Sequence, residues 1–307
     1  MKIDILASES RGVRGLCCTI TTKDRNILID PGIALGYFRY RLLPHPFQVA
    51  VDEKRQKDIV RAWCGATDIV ISHFHGYHTP LSDANPYQLS IHTVARCNRH
   101  ATLWAKGIHL SQVEKRRKEA LSEQVPLTIR NAEAHHKGIL TFSQPVPHGK
   151  VTAKDTVIMT RIAEERVFVH ASDIQFLCDE AVDTIIEWTP DIVLASGPPL
   201  YISRLCRKDV TRAVSNMLRL ARHVDTLVVD HHLVRDRAGI ELLDRLAERS
   251  DGTIMCAADF MGKPRLFLEA DRKRLYEEMP VSPGWHDAYA AGNADTLAYR
   301  TESLFSI

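Results

Sequence analysis

Three histidines within six residues are the strongest chemical signal in the sequence. His73, His75 and His78 follow the apolar segment 68–71, which has the length and composition of a buried strand. In an extended segment His73 and His75 project to the same side, and a turn at Gly76 can bring His78 to the same point. Neutral imidazoles that converge in this way bind zinc or iron. The pattern therefore predicts a metal site after this strand.

Further candidate residues stand where predicted strands end, a recurring position for binding and catalytic side chains. They are Asp30, His148, Asp173, His231 and His232. The adjacent histidines compete for one ligand position, and His231 is favoured because it comes first after its strand, which leaves His232 as a proton donor. His170 lies inside the strand before Asp173, so we expect it to support the site or the core rather than to bind a metal.

The composition is that of an ordinary globular protein. Of 307 residues, 45% are hydrophobic, and the 40 basic and 38 acidic residues leave a formal charge of +2, which does not demand a nucleic-acid partner. No run of 18 apolar residues occurs, so we expect neither export nor membrane insertion. Seven cysteines without a CxxC spacing argue against a disulfide framework, and a cytoplasmic location fits best.

Hydrophobic periodicity predicts an α/β chain without repeats or linkers. An amphipathic helix over 51–63 leads into the strand before His73, and helices alternate with strands from about 179 to 255. The segment 85–137 has few strand signals and a helix near 111–123, which is typical of an inserted cap. The chain is therefore expected to be one domain, 1–307, with a mostly helical insertion at about 85–137. The other strands are expected at 2–7, 16–21, 26–29, 138–143, 156–160 and 166–170.

Two basic segments leave alternatives open. In the irregular loop 33–48, Arg39 and Arg41 either meet an anion near the mouth of the site or lie on the surface without function. The basic run 115–118 lies beside glutamates on a predicted helix, which favours a solvated helix face over a nucleic-acid contact.

Taken together, the ordered motifs resemble the metallo-β-lactamase superfamily over about Ile3 to His232. The segment from Phe142 to Asp173 is similar to the branch that includes ribonuclease Z and phosphodiesterases. More narrowly, Ser-His-x-His followed by His-Thr-Pro, and the late Val-Asp-His-His-Leu-Val-Arg-Asp, resemble an uncharacterised, largely archaeal family within the superfamily. The resemblance implies a four-layer αββα sandwich that gathers its ligands along one sheet edge, usually around two metals.

The resemblance also implies a role for each candidate residue. Asp173 would bridge the two metals, and Asp30 would be a structural acid beneath the site. The first metal would be held by His73, His75 and His148, and the second by His78 and His231.

One position departs from the family pattern. Tyr77 stands where an aspartate usually precedes the third histidine, and a neutral phenol is a poor zinc ligand beside a carboxylate. We therefore expect one tight metal site and a weaker second one. Asp83 could replace the missing carboxylate, or Tyr77 itself could bind iron or a substrate, although packing beside the ligands is favoured.

These features indicate a metal-dependent hydrolase. Zn²⁺, or iron or manganese, would activate water against an ester or phosphodiester, with Asp173 accepting the proton and Arg235, Arg39 or Arg41 holding an anionic leaving group. The expected partner is a small-molecule or phosphodiester substrate, with a nucleic acid or a second copy of the chain left open. The alternatives are an iron-dependent redox enzyme of the same fold and a non-catalytic binding protein with a degenerate metal site. Metal affinity should fall below about pH 6.5, where histidines become protonated.

Overall fold

Two β-sheets packed face to face form the centre of the structure, a computed structural model that describes residues 1–152 and 154–300. The first sheet contains, in chain order and in sheet order, β1 (Lys2–Ala7), β2 (Cys17–Thr21), β3 (Asn26–Ile29), β4 (Asp68–Ile71), β5 (Thr102–Ala105) and β6 (Ile129–Asn131). The later strands are β7 (His136–Lys137), β8 (Leu140–Phe142), β9 (Val146–Pro147), β10 (Thr156–Val157), β11 (Thr160–Ala163), β12 (Val167–Ala171), β13 (Ile192–Ala195), β14 (Thr226–Val229) and β15 (Ile254–Met255). The second sheet has the order β15-β14-β13-β12-β11-β8-β7, and β9 pairs with β10 as a short ribbon.

Helices cover the outer face of each sheet. They are α1 (Pro46–Gly65), α2 (Ile91–Val94), α3 (Gln112–Gln124), α4 (Asp179–Glu187), α5 (Arg207–Ala221), α6 (Arg237–Arg249), α7 (Ala257–Phe260), α8 (Arg272–Glu278) and α9 (Trp285–Ala290), with 3₁₀ turns at Leu233–Arg235 and Leu297–Tyr299. Among the described residues, no helix combines the length and the apolar composition needed to cross a membrane.

Three clusters of buried side chains give the structure four layers. Residues such as Ile5 and Val70 of the first sheet pack against Phe168 and Val228 of the second, which forms the core between the sheets. A second core lies between the first sheet and α1 to α3, and a third lies between the second sheet and α4 to α6. Apolar side chains on both faces of each sheet require this burial. The predicted α/β class and αββα layering are confirmed.

Two element boundaries differ from the sequence prediction for identifiable reasons. Helix α1 begins at Pro46 rather than near residue 51, because a proline suits the first turn and the His45 ring accepts the amide hydrogen of Phe47. The strand expected at 156–160 is divided into β10 and β11. Between them, the amide of Ile158 donates to the carbonyl of Ser72, 3.1 Å away, and so joins the two halves of the molecule.

The segment 85–137 contributes to the sheets as well as carrying helices. Strands β5 and β6 extend the first sheet in parallel with β4, while α2 and α3 pack on its outer face. Lys106, fully buried just after β5, places its Nζ 2.7 Å from a carboxylate oxygen of Glu114 on α3. The insertion boundaries themselves stay a prediction.

Cys64 and Cys97 form a disulfide between the end of α1 and the turn after α2, with Cα atoms 4.9 Å apart. The sequence argued against a disulfide framework and gave no sign of this single bond. Its separation of 33 residues carries no motif, and only the packing of α2 beside α1 brings the two residues together. Cys17 and Cys18 are buried in the core.

Candidate metal centre

The sequence-predicted site residues meet where parallel strands of both sheets end. Strands β3 and β4 are parallel, as are β12, β13 and β14, so their carboxyl ends lie along a common edge of each sheet. Asp30, Asp173 and His231 all follow these strands with positive φ angles of 49°, 50° and 31°. Left-handed backbone is uncommon for residues other than glycine and concentrates at functional sites, where surrounding contacts hold it in place.

The carboxylate of Asp173 lies at the centre of five imidazole rings and is fully buried. Its two oxygens face different groups of histidines. The Oδ2 atom lies 3.3 Å from His73 Nε2, 3.5 Å from His75 Nδ1 and 3.4 Å from His232 Nε2, whereas Oδ1 lies 3.0 Å from His78 Nε2 and 3.6 Å from His231 Nε2. This division matches a carboxylate that bridges two cation positions.

Asp30 contacts His78 directly and His73 through the hydroxyl of Ser72. The hydroxyl of Ser72 donates to Asp30 at 2.8 Å, so its oxygen accepts from His73 Nδ1, also at 2.8 Å. That places the free lone pair of His73 on Nε2, the atom that faces Asp173. Asp30 also lies 3.0 Å from Nδ1 of His78 and accepts from Ser172, so the buried carboxylate has partners on both oxygens.

His148 stands somewhat apart from the other predicted ligands of the first metal. It lies in the loop between β9 and β10, and its ring centroid is 5.8 Å from that of His75. It groups with His75 and the exposed Asp155, which was not considered from the sequence, rather than with His73 and Asp173. The side-chain amide nitrogen of Gln175 donates to Nδ1 of His148 at 3.1 Å.

Burial keeps most of the rings neutral. It is the main cause that holds the pKa values of His73 and His231 well below the usual value, and it lowers the pKa of His232 to about 4. His78 differs, because although burial favours its neutral form, the carboxylates of Asp173 and Asp30 outweigh burial and raise its pKa to about 9. In the metal-free protein His78 therefore carries a proton at neutral pH.

The surroundings of His231 and Tyr77 make the second group of ligands less ready for a cation. The amide of Gly15 and the guanidinium of Arg235 donate to Nδ1 of His231 at 3.3 and 3.2 Å, which favours a hydrogen on the Nε2 atom that faces Asp173. The Tyr77 ring packs on His231 and His78, with centroid distances of 4.9 and 4.8 Å. Burial raises the pKa of Tyr77, so the phenol stays protonated.

Three supporting residues were not found from the sequence. Glu9 lies 3.3 Å from Arg235 Nε and 3.7 Å from His231 Nδ1, and the Tyr201 hydroxyl contacts both Arg235, at 2.6 Å, and His232, at 3.0 Å. Gln175 is the third. Glu9 follows β1, Tyr201 lies in the loop after β13, and Gln175 lies in the loop after β12. No motif marks any of them. Arg235, which was expected to hold a leaving group, is 4% exposed and directed at Glu9 and Tyr201.

Three other predicted residues have clear positions. His170 is buried and its Nε2 lies 2.8 Å from the carbonyl oxygen of Leu16, beneath the cluster. Asp83 is exposed and belongs to none of the metal-suited groups among the described residues. Arg39 lies at the mouth of the site, with its guanidinium carbon 5.5 Å from the centroid of the Tyr201 ring.

The cluster fits a divalent metal by its own geometry. His73 Nε2, His75 Nδ1 and Asp173 Oδ2 lie 2.9, 3.3 and 3.5 Å from one another. Ligand atoms around a tetrahedral zinc, each about 2.0–2.2 Å from the ion, stand roughly 3.3–3.6 Å apart. In addition, Asp173 Oδ2 is buried and has no hydrogen-bond partner within residues 1–152 and 154–300. A buried orphan acceptor of this kind is one that a cation satisfies.

Comparison with known sequences assigns the chain to a family. A UPF0282 protein of Methanosarcina mazei is 44% identical over 302 residues, covering 97% of this chain and 99% of that protein. UPF0282 proteins of Methanopyrus kandleri and Pyrococcus abyssi are 34% and 35% identical and cover 91% and 90% of this chain, and 100% and 93% of their own lengths. The chain belongs to the UPF0282 family. No family model matches it. The archaeal sources of these relatives confirm the largely archaeal family predicted from the motifs.

One solved structure shares the fold of this UPF0282 chain. An isothiocyanate hydrolase from Delia radicum gut bacteria overlaps with a TM-score of 0.52 at 15% identity, covering 83% of this chain and 95% of that one. A diphosphatase of the PhnP family overlaps more loosely, with a TM-score of 0.40 at 15% identity, covering 75% of this chain and 85% of that one. The subclass B3 metallo-β-lactamase MEM-A1 has a TM-score of 0.32 at 16% identity, covering 91% of this chain and 92% of that one. The αββα layers with ligands at one edge are the metallo-β-lactamase fold.

Replacement of His75 by Ala should weaken metal binding in this UPF0282 chain without damaging the metal-free fold. The ring is 29% exposed, so its loss removes little packing, but it removes one of the three atoms closest together in the cluster. If zinc affinity falls a hundredfold, the free energy by which saturating zinc stabilises the fold falls by about 2.7 kcal/mol. Thermal unfolding with and without zinc measures this, with His92→Ala, an exposed histidine of α2, as the control. Equal zinc responses in the His75→Ala and parent proteins would contradict the assignment.

The zinc affinity of the second group, His78 and His231 with Asp173 Oδ1, should increase with pH up to about 9 rather than level off above 6.5. Because the pKa of His78 is raised to about 9, the ring must release a proton when its Nε2 binds a metal. Protonated His78 also stabilises the metal-free fold below about pH 6.5, and that contribution is lost as the pH rises through 9. Calorimetric titration with zinc in buffers of different ionisation enthalpy should show release of about one proton at pH 7 as this second group fills. No release at this pH would contradict the shift of His78.

Proposed function

We propose that this protein is a metal-dependent hydrolase that uses an activated water to cleave an anionic ester, in particular a phosphodiester. The observation that carries the proposal is the position of Asp173, whose two oxygens face separate groups of imidazoles. A bridging carboxylate between two nitrogen-rich cation sites suits the activation of water and the binding of a charged reacting group.

The ligand groups are unequal. His73, His75 and Asp173 Oδ2 would hold the tighter metal, with His148 completing its shell, and His78, His231 and Asp173 Oδ1 would hold the weaker one. Zinc, or iron or manganese, bound there lowers the pKa of a water towards neutrality and offsets negative charge that develops on the substrate.

The protein's own groups then handle the protons. The Asp173 carboxylate, whose low pKa keeps it ionised, positions the water and accepts its hydrogen. Arg235 donates to the Tyr201 hydroxyl, so the phenol hydrogen is directed at Nδ1 of His232. This leaves the hydrogen of the neutral His232 ring on Nε2, which faces Asp173, and we assign this N–H as a hydrogen-bond donor to the leaving group.

A basic cavity beside His148 supports an anionic substrate. It has a volume of about 440 Å³, and Lys150, Lys154 and Arg204 line it together with one carboxylate, Asp155. Cations at the mouth of a hydrolytic site attract and orient phosphate or carboxylate groups. The isothiocyanate hydrolase that shares the fold is a hydrolase by its name, which agrees with the class of reaction.

The proposal is tested first by metal analysis and hydrolysis of bis(p-nitrophenyl) phosphate. One or two zinc ions per chain together with metal-dependent hydrolysis support it. Iron with a visible absorption band and no hydrolysis would favour the redox alternative instead, and protein that retains no metal after incubation with zinc, iron or manganese would favour a non-catalytic binding protein.

Substrate contacts are tested by Arg204→Ala. Because Arg204 lines the cavity but lies outside the histidine cluster, its loss should raise KM for the diester about tenfold and leave kcat nearly unchanged. Arg245→Ala, an exposed arginine of α6, is the matched control. An unchanged KM in the Arg204 variant would place the substrate elsewhere.

A further inference from the structure

A second cavity, separate from the histidine cluster, lies between α1 and the outer face of β1, β2 and β3. Its volume is about 410 Å³, and Arg11, Arg55 and Arg61 line it together with Asp4 and Asp58. Leu6 and Leu28, whose side chains belong to the core beneath α1, form part of its floor. The predicted site residues are absent from this lining.

Two of the arginines are buried and have guanidinium nitrogens without a hydrogen-bond partner in the described part of the chain. Arg11 is 5% exposed and Arg55 is 4% exposed. Within the described residues, Nε and Nη1 of Arg11 and Nε of Arg55 have no hydrogen-bond acceptor. A guanidinium is always charged and offers five donors, so burying it without acceptors is costly. Groups of this kind in a folded protein call for an unseen water or ion.

The nearby carboxylates do not neutralise this pair. Asp58 is shared, with one oxygen 3.9 Å from Arg55 and the other 3.3 Å from Arg61. Asp4 lines the cavity without a hydrogen bond to either buried arginine in the described structure. Burial, with the charge of Arg11 second, lowers the pKa of Arg55 to about 10, which shows how unfavourable the neighbourhood is for an uncompensated cation. Water can satisfy the donors, but only an anion also compensates the charge.

We propose that this cavity binds the phosphate group of a small phosphorylated molecule, with Arg11 and Arg55 as its anchors. Two guanidinium forks offer more donors than the two oxygens of one carboxylate can accept, whereas a phosphate presents three terminal oxygens and up to two charges. Thr19, Thr21 and Asn26 line the rest of the cavity and suit hydroxyl groups on the attached molecule. The lining includes no aromatic ring on which a base could stack, which argues against single-stranded nucleic acid.

Arg55 is the better of the two arginines to change. Arg11 follows Glu9 and Ser10, and the latter donates its amide hydrogen to Asp230 beside His231 at 3.0 Å, so a change at Arg11 could disturb the metal centre. In Arg55→Met, a buried charge whose ion pair with Asp58 spans 3.9 Å is replaced by a flexible apolar side chain. The variant should therefore melt at the same temperature as the parent, or higher, in the absence of phosphate.

The test is thermal unfolding of the purified protein against inorganic phosphate at constant ionic strength. The melting temperature of the parent should rise with phosphate, and Arg55→Met should need at least about tenfold more phosphate for the same rise. Lys57→Met, an exposed cation of the same helix, should respond as the parent does. Arg204→Ala, in the cavity beside His148, should keep the part of the response that Arg55→Met loses. If Arg55→Met does not fold, Arg55→Lys, which keeps the charge but loses the fork, should show the weakened response.

Three results would overturn the proposal. A parent that does not respond to phosphate would mean that water alone satisfies the arginines. A response lost in Arg204→Ala but kept in the Arg55 variants would place phosphate at the metal centre, which bears on the proposed hydrolase and not on this cavity. A response to acetate as strong as that to phosphate would assign the cavity to carboxylates.

Discussion

Asp173→Asn should reduce kcat/KM for diester hydrolysis by at least about a thousandfold, equivalent to about 4 kcal/mol of transition-state stabilisation. The substitution keeps the shape of the side chain but removes the charge that both histidine groups share. Asparagine can offer only one oxygen, so it cannot serve the His73 and His78 sides together. Metal content should fall with activity, and both are measured on the same purified protein.

The matched control is Asp155→Asn, which changes an exposed carboxylate beside His148. It should cost less than about tenfold in kcat/KM, because Asp155 touches only one of the ligand groups. If the Asp173→Asn protein kept both its metal and more than a tenth of its activity, Asp173 would be neither a bridge between the two metal positions nor a proton acceptor.

Tyr77→Asp should raise metal occupancy towards two per chain under conditions where the parent holds one. The tyrosine ring packs against His78 and His231, the two imidazoles of the weaker group, so a carboxylate at this position would stand beside them. Even about 2.8 kcal/mol from one added charged ligand corresponds to a hundredfold in affinity. Titration of the metal-free protein with zinc measures both sites, and diester hydrolysis should increase as the second fills.

Tyr77→Phe separates the two roles that the tyrosine could have. It keeps the ring contacts and removes only the hydroxyl, so zinc binding should match that of the parent if Tyr77 merely packs beside the ligands. Loss of a metal in Tyr77→Phe would instead make the phenol a ligand. Two equally tight zinc sites in the parent, or no gain in Tyr77→Asp, would contradict the weakened second site.

The sequence predicted the parts of the site that follow simple strands. His73 and Asp173 come directly after apolar runs that form β4 and β12, and parallel strands bring such positions to a common edge. The α/β class followed from the alternation of apolar strands and amphipathic helices, whereas the αββα layering was implied by the resemblance of the motifs. His231 and His232, for which the sequence predicted different roles, face different oxygens of Asp173.

The remaining features depend on contacts between distant segments. Glu9 lies 226 residues before Arg235, and the two meet only because β1 and the turn after β14 reach the same edge. Tyr201 comes from an irregular loop with no motif, and the Cys64–Cys97 bond depends on how α2 packs. His148 sits on a loop between two-residue strands, so its distance from His73 could not be deduced from the spacing of histidines along the chain.

The ligands are divided between the two sheets: His73, His75 and His78 follow β4, whereas Asp173, His231 and His232 follow β12 and β14. During synthesis the first group leaves the ribosome long before the second, and domains generally fold as units from the amino terminus. A nascent chain that has only its first sheet would hold three unaccompanied histidines and no carboxylate bridge. The tighter group of candidate ligands would be complete only after Asp173 has followed β12, and the weaker group only after His231 has followed β14, so a shorter nascent chain could not assemble both groups.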